Sequence, residues 1–185
     1  MVGLFSSILI TPSKGWERAR NIETKKEVIL KYALPLVLAA GLCTFCGVIL
    51  EAGVFDWQAG LKNFIGLSIT LFASFYITAI IIKGLSKWLL TKHLIFTETL
   101  QFTIFAYSCV IFVCMVEELF EDMFFIKILD LYTFYLVFEG CNTYLGIVEK
   151  SGDKRNAFIA LSSLAIMVMP GVIQKILTML MPGLN

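Results

Sequence analysis

Charge is scarce in this chain: only 16% of its 185 residues are Asp, Glu, Lys or Arg, against about 25% in an ordinary soluble domain. Histidine occurs once, as His93, and no cysteine shares its polar segment. That excludes the usual nitrogen-and-thiolate ligand set of a zinc site. No H-E-x-x-H, no G-x-S-x-G, no phosphate loop and no Gly-rich nucleotide turn occurs, so the recognisable hydrolase and nucleotide-binding signatures are missing. An enzyme is not expected, nor is a cofactor. The net charge of +1 gives no basic stripe for nucleic acid, and no such partner is expected. Cysteine is present five times, an odd number, and each copy lies inside an apolar run. This argues against a disulfide framework. Cys43 and Cys46 form a C-x-x-C pair, but inside an apolar helix they read as small residues for close packing rather than as a redox or metal pair.

What the chain has instead is apolar length. Hydrophobic residues make up 58% of it, and the mean hydropathy is +0.85. So much apolar surface in so short a chain calls for lipid as solvent. The expected fold is all-α: a five-helix membrane bundle with spans at about 28–50, 61–82, 99–116, 124–148 and 157–181, forming one domain at 28–181. In the first span, Ala39, Cys43 and Gly47 make a ridge of small residues at four-residue spacing, where a neighbour can approach closely. Ser68, Thr70, Ser74 and Thr78 scatter hydroxyls through the second. Residues 83–98, with Lys83, Lys87 and Lys92, are expected to hold a short surface helix. Pro170-Gly171 predicts a kink in the fifth.

The basic residues set the expected topology. With the N-terminus inside, the inner segments hold twelve: Lys14, Arg18, Arg20, Lys25, Lys26, Lys31, Lys83, Lys87, Lys92, Lys150, Lys154 and Arg155. The outer side holds three, Lys62, Lys127 and Lys175. Such a bias in short loops orients membrane proteins. The C-terminus is then outside, and the expected location is the cell inner (cytoplasmic) membrane.

Residues 1–27 precede the first span. The first ten are apolar, too few to cross, and spaced like a helix lying in the membrane interface. Thr11-Pro12-Ser13 breaks that helix, and Ser13 is expected to cap a second one. Trp16 favours the headgroup level, and Lys14, Arg18 and Arg20 favour anionic headgroups.

The fourth span carries the leading candidate for function, Glu139, close to its middle. At about 100° per residue, Tyr132, Tyr135, Glu139, Asn142 and Gly146 fall on one arc. A carboxylate at the helix centre costs roughly 3 kcal/mol on insertion scales. The arc is therefore expected to face protein or a water-filled cleft, either as a proton, cation or headgroup site or as a bonded carboxyl joining helices. Asp130 lies on the opposite face, one turn from Lys127, with which a local ion pair is expected. Glu117, Glu118, Glu121 and Asp122 form an acidic cluster, weakly suited to a hard divalent cation and better read as a solvated loop.

The segment Thr11-Pro12-Ser13-Lys14-Gly15-Trp16-Glu17, then Ala106-Tyr107-Ser108 and Tyr135…Gly140, carry a likeness. With the five-span layout, they make the chain resemble the Yip1 family, specifically its small prokaryotic members. The third span lacks the proline that the family often has after its Tyr-Ser, and the acidic segment of eukaryotic members is absent. The resemblance implies a non-enzymatic protein that organises or shapes the membrane, with anionic lipid, a second copy or other membrane proteins as partners. It does not carry over the GTPase binding of eukaryotic members, whose matching residues are missing. The alternative, from a different class, is a small transporter, channel or lipid-handling protein using the Glu139 carboxylate.

Overall fold

The computed structural model describes residues 2–22, 24–52, 56–147 and 152–180. All regular structure among them is helical. Four helices are long and apolar enough to cross a membrane: Lys26–Ile49, Trp57–Leu89, Phe96–Leu119 and Gly152–Leu180. The shortest two have 24 residues, or about 36 Å at 1.5 Å per residue, against a hydrocarbon core of about 30 Å. This is a multi-pass membrane protein. Phe96–Leu119 is its central helix: 78% of its most apolar window is buried in protein, against 33%, 39% and 33% for the others.

Two short helices come first, α1 (Val2–Ile10) and α2 (Pro12–Arg20). Pro12 opens α2 at a position whose amide would be unpaired anyway. Thr11 holds the cap position, not Ser13, and makes no side-chain cap bond. The first crossing is α3 (Lys25–Val28), a π-helical turn (Ile29–Ala33) and α4 (Leu34–Ala52). The wide turn sits just before Pro35, whose ring would crowd the carbonyl four residues back; opening the ladder there relieves the clash. The Leu34 amide bonds five residues back, to Ile29.

The second crossing, α5 (Trp57–Leu89), is one unbroken helix of 33 residues. The expected separate surface helix is absent from the described residues: Lys83 and Lys87 ride on the last turns of α5. Asp56 caps its start, accepting from the Gln58 and Ala59 amides at 3.0 and 3.1 Å. The third crossing is α6 (Phe96–Ala106) followed by α7 (Ser108–Leu119), joined through Tyr107.

The expected fourth span is the main departure. Residues 124–148 are not one α-helix. A 3-10 helix (Glu121–Leu131) leads into α8 (Tyr132–Thr143), which has only 12 residues. Alone, α8 is about 18 Å long, too short to cross. The segment nevertheless runs the length of the bundle. It leaves the end where Glu118 meets Gly47, and it arrives where the Lys92 ammonium donates to the Leu145 carbonyl at 2.7 Å. Gly146, at φ 58°, turns the chain there in a conformation that glycine adopts without strain. The last crossing, α9 (Gly152–Leu180), continues through Pro170. Val148, Lys150 and Met181 lie outside the described residues.

Helix α5 packs against α4, α6 and α9, and α4 also packs against α7. The small-residue ridge of α4 faces α7: Ala39 shares a groove with Met115, and Gly47 lies against the Glu118 main chain. A Cβ at Gly47 would collide with the Glu118 carbonyl, whereas Gly84 has nothing near it. Gly47→Ala is therefore expected to destabilise by about 1–3 kcal/mol. Gly84→Ala should be neutral, or stabilising by up to about 1 kcal/mol through helix propensity. Thermal unfolding of both variants in detergent micelles checks the pair.

Candidate functional site

Apart from Thr133, the polar residues of α8 lie outside its buried stripe. Thr133, Leu136, Val137, Gly140 and Cys141 form the buried stripe at three- and four-residue spacing. On one flank the N-terminal helices are clasped to the bundle, and Trp16 is the clasp. Its side chain is fully buried, and its indole N–H donates to the Leu136 carbonyl at 3.0 Å. The ring stacks on Phe102 at 5.2 Å between centroids, meets Phe105 edge-on at 6.1 Å and tilts against Tyr144 at 5.6 Å. Gly140 makes room for it: a Cβ there would come 2.6 Å from the indole. The indole expected among headgroups is enclosed by protein side chains.

The rest of the hairpin follows from the same spacing. Pro12, Gly15, Trp16 and Ala19 turn inward from α2, while Lys14, Arg18 and Arg20 are exposed. Gly15 lies against the Ile8 backbone, so α1 and α2 cross in close contact. Arg18 donates to the Ser7 hydroxyl at 2.7 Å, tying the two helices together. Helix α1 also touches the start of α8 and the side of α7. Tyr132, the first residue of α8, donates to the Leu9 carbonyl at 2.9 Å. That contact is a full α8 length, about 16–18 Å, from the Lys92 end.

The predicted arc is partly assembled. Tyr132 and Tyr135 lie side by side with ring centroids 5.5 Å apart, and Tyr135 is 46% exposed. Asn142 accepts from Arg155 of α9, whose guanidinium also lies 5.3 Å from the Phe138 ring. Gly146 is beyond the helix. Glu139 is half-buried and forms no hydrogen bond or ion pair with the described residues. It stands four residues before the end of α8, or about 6 Å along the axis. Glu139 lies on a 12-residue α-helix, not on the single long helix expected for 124–148.

Of the acidic cluster, Glu117 pairs with Lys127 at 3.3 Å; Lys127 attracts Asp130 as well, without an ion-pair contact. Glu118 points into a cavity at the far end of the bundle. The side chains of Glu121 and Asp122 lie outside the described residues. Among the described residues, no group of three or more His, Cys, Asp or Glu could hold a metal ion.

The hydroxyls of the second span could bond their own helix or a neighbour; sequence reasoning missed the tyrosines that bond across helices. Tyr32 meets Ser108 at 2.6 Å, Thr78 meets Tyr107 at 2.9 Å, and Tyr144 donates to Gln101 at 3.0 Å. All three tie a phenol to a polar side chain on another helix. Ser74 instead bonds its own helix, at the Thr70 carbonyl. The signal was present, since a Tyr on an apolar helix must place its hydroxyl somewhere. The partner on another helix cannot be read from spacing.

Compared with known proteins, the chain matches no family model, no curated protein and no solved structure. Two outcomes test the clasp. Trp16→Ala is expected to cost about 3–5 kcal/mol and to free the hairpin, so that trypsin cuts at Arg18 or Arg20 much faster than in the parent. Tyr107→Phe, which removes one hydrogen bond but keeps the ring, should cost only about 1 kcal/mol and leave the cleavage rate unchanged.

Proposed function

We propose that this is a non-enzymatic integral membrane protein of the Yip1 type, which organises or shapes the bilayer around its N-terminal hairpin. The observation that carries this reading is the pinned α1–α2 pair. Helix α1 is apolar, and Ile10 at its end is 78% exposed. Helix α2 presents Lys14, Arg18 and Arg20 outward. Such a pair places apolar volume in one leaflet and positive charge at its headgroups, which attracts anionic lipid and favours curved bilayers. Because Trp16 ties the hairpin to the bundle, the wedge is a fixed part of the molecule and not a tail that visits the surface.

In this reading the segment 121–145 counts as a fifth crossing, supported by its contacts at both ends of the bundle. The N-terminus then lies in the cytoplasm and the C-terminus outside, in the inner membrane, as the twelve-to-three division of basic residues favours. Anionic headgroups on the inner face are the first partners, followed by a second copy or another membrane protein. The second reading, transport through the Glu139 carboxylate, has less support, because Glu139 stands near the end of α8 and lines none of the three cavities found beside Thr70, Tyr32 and Tyr132 among the described residues.

Lipid recruitment tests the first reading. In vesicles containing phosphatidylserine, the parent is expected to enrich the anionic lipid around itself and to tubulate the membrane. The triple variant Lys14→Gln, Arg18→Gln, Arg20→Gln should lose most of that enrichment, at about 1 kcal/mol per basic residue. Unchanged enrichment and tubulation would argue against the reading. Glu139→Gln should leave both intact and abolish no ion or lipid flux; a flux lost in that variant would favour transport.

A further inference from the structure

Helix α1 does not lie flush on its neighbours. Between it, α7 and the 3-10 helix is a groove of about 580 Å³, inside the range of about 300–1,000 Å³ that ligand clefts span. Its walls are mainly apolar: Phe5, Leu9 and Ile10 of α1, Phe112 of α7 and Leu129 of the 3-10 helix. Ile10, Phe112 and Leu129 are exposed, so the groove opens outward. Three polar side chains also line it, and each is already paired within the protein. Tyr132 donates to the Leu9 carbonyl, Cys109 to the Leu129 carbonyl at 3.2 Å, and Ser6 to the Gly3 carbonyl at 3.4 Å. Cys109 and Phe112 are the 14th and 17th residues of the 24-residue crossing Phe96–Leu119. Both lie about 10 Å or more from either end of it, which is hydrocarbon depth.

We propose that this groove seats one acyl chain of an anionic phospholipid, held against α1 as a bound lipid. A void there would forfeit the dispersion contacts of its walls, so an occupant is favoured. Water is a poor one, because it needs two to four polar partners, and the lining polar groups give their protons to carbonyls of the protein. A helix is about 10–12 Å across, so the groove would admit little more than one turn of a second copy or of a partner span. An alkyl chain is thin, flexible and as apolar as the walls, and at this depth the bilayer supplies it in excess. Charge sets the head. Ser7, next in the chain to Ser6, accepts from Arg18 at 2.7 Å, which brings a cation of α2 beside the groove. Lys14, Arg18 and Arg20 are exposed on α2 against one exposed acid, Glu17, a balance that favours a negative headgroup. The choice of an anionic head rests on the reading of α2 given above; the seat for the chain does not.

Native mass spectrometry tests the proposal on the full chain released from nanodiscs of equal phosphatidylserine and phosphatidylcholine. The parent is expected to keep one phospholipid through detergent washing, with phosphatidylserine preferred severalfold. Phe112→Trp combined with Leu129→Trp fills the groove and should lower retention by an order of magnitude. Leu164→Trp, at an exposed position of α9, should leave it unchanged. Should the filled variant fail to fold, the parent is labelled in vesicles with phosphatidylserine that carries a photoreactive diazirine on its acyl chain. Adducts are expected severalfold denser on residues 5–10 and on Phe112 than on the exposed α9 positions Leu164 and Val168. No retained lipid, retention that survives the double substitution, adducts spread evenly over both faces, or a dimer of the chain in place of the lipid would each overturn the proposal. Equal retention of the two lipids would overturn its anionic head. Loss of tubulation by a protein that still keeps its lipid would contradict the wedge reading alone.

Discussion

The structure depends on one indole. Trp16 belongs to a segment of only nine residues, α2, which alone would be marginal as a helix in water. It persists because that indole fills a slot made by Phe102, Phe105, Gly140 and Tyr144 and donates its single proton to a carbonyl of α8. In a lipid environment apolar burial gives little drive for helix association, since acyl chains are as apolar as leucine. Close packing and a satisfied hydrogen bond decide the matter instead, and this contact supplies both. It turns a tail into a structural element and sets how deep α1 lies.

The same rule explains the polar residues elsewhere in the bundle. Tyr32, Tyr107 and Tyr144 each carry a large apolar ring with one hydroxyl, and each hydroxyl meets a side chain of another helix. Charges follow the complementary rule. Lys92, Arg155 and Glu139 gather at one end of the bundle, and Lys62 and Glu118 at the other. Asp130 is the exception: it lies half-buried beside Cys109, and one of its carboxyl oxygens is buried with no hydrogen-bond partner among the described residues.

Much of this was legible in the chain. Apolar runs bounded by Lys26, Asp56, Lys92 and Gly152 locate the four long helices, because only a helix satisfies its own backbone in lipid. The facing of Ala39 and Gly47 toward a close neighbour could be read from four-residue spacing. Three features could not. Apolarity between Phe124 and Val148 announces burial without announcing where the helix changes pitch. A tryptophan beside Lys14 and Arg18 has the composition of a membrane interface; only the space above Gly140, which lies 124 residues away in the chain, draws it inside. The groove beside α1 joins residues from α1, α7, α8 and the 3-10 helix, none of which forms a motif on its own.

The most direct test of the account follows the fluorescence of Trp16 alone, after Trp57→Phe and Trp88→Phe. Those two side chains are 55% and 78% exposed, so their loss should leave the fold unchanged. Reconstituted in vesicles, Trp16 is expected to emit at short wavelength and to resist quenching both by acrylamide in water and by lipids brominated along the acyl chain. Strong quenching by either agent would place the indole at the membrane surface or in the acyl chains, and would contradict the clasp on which the hairpin depends.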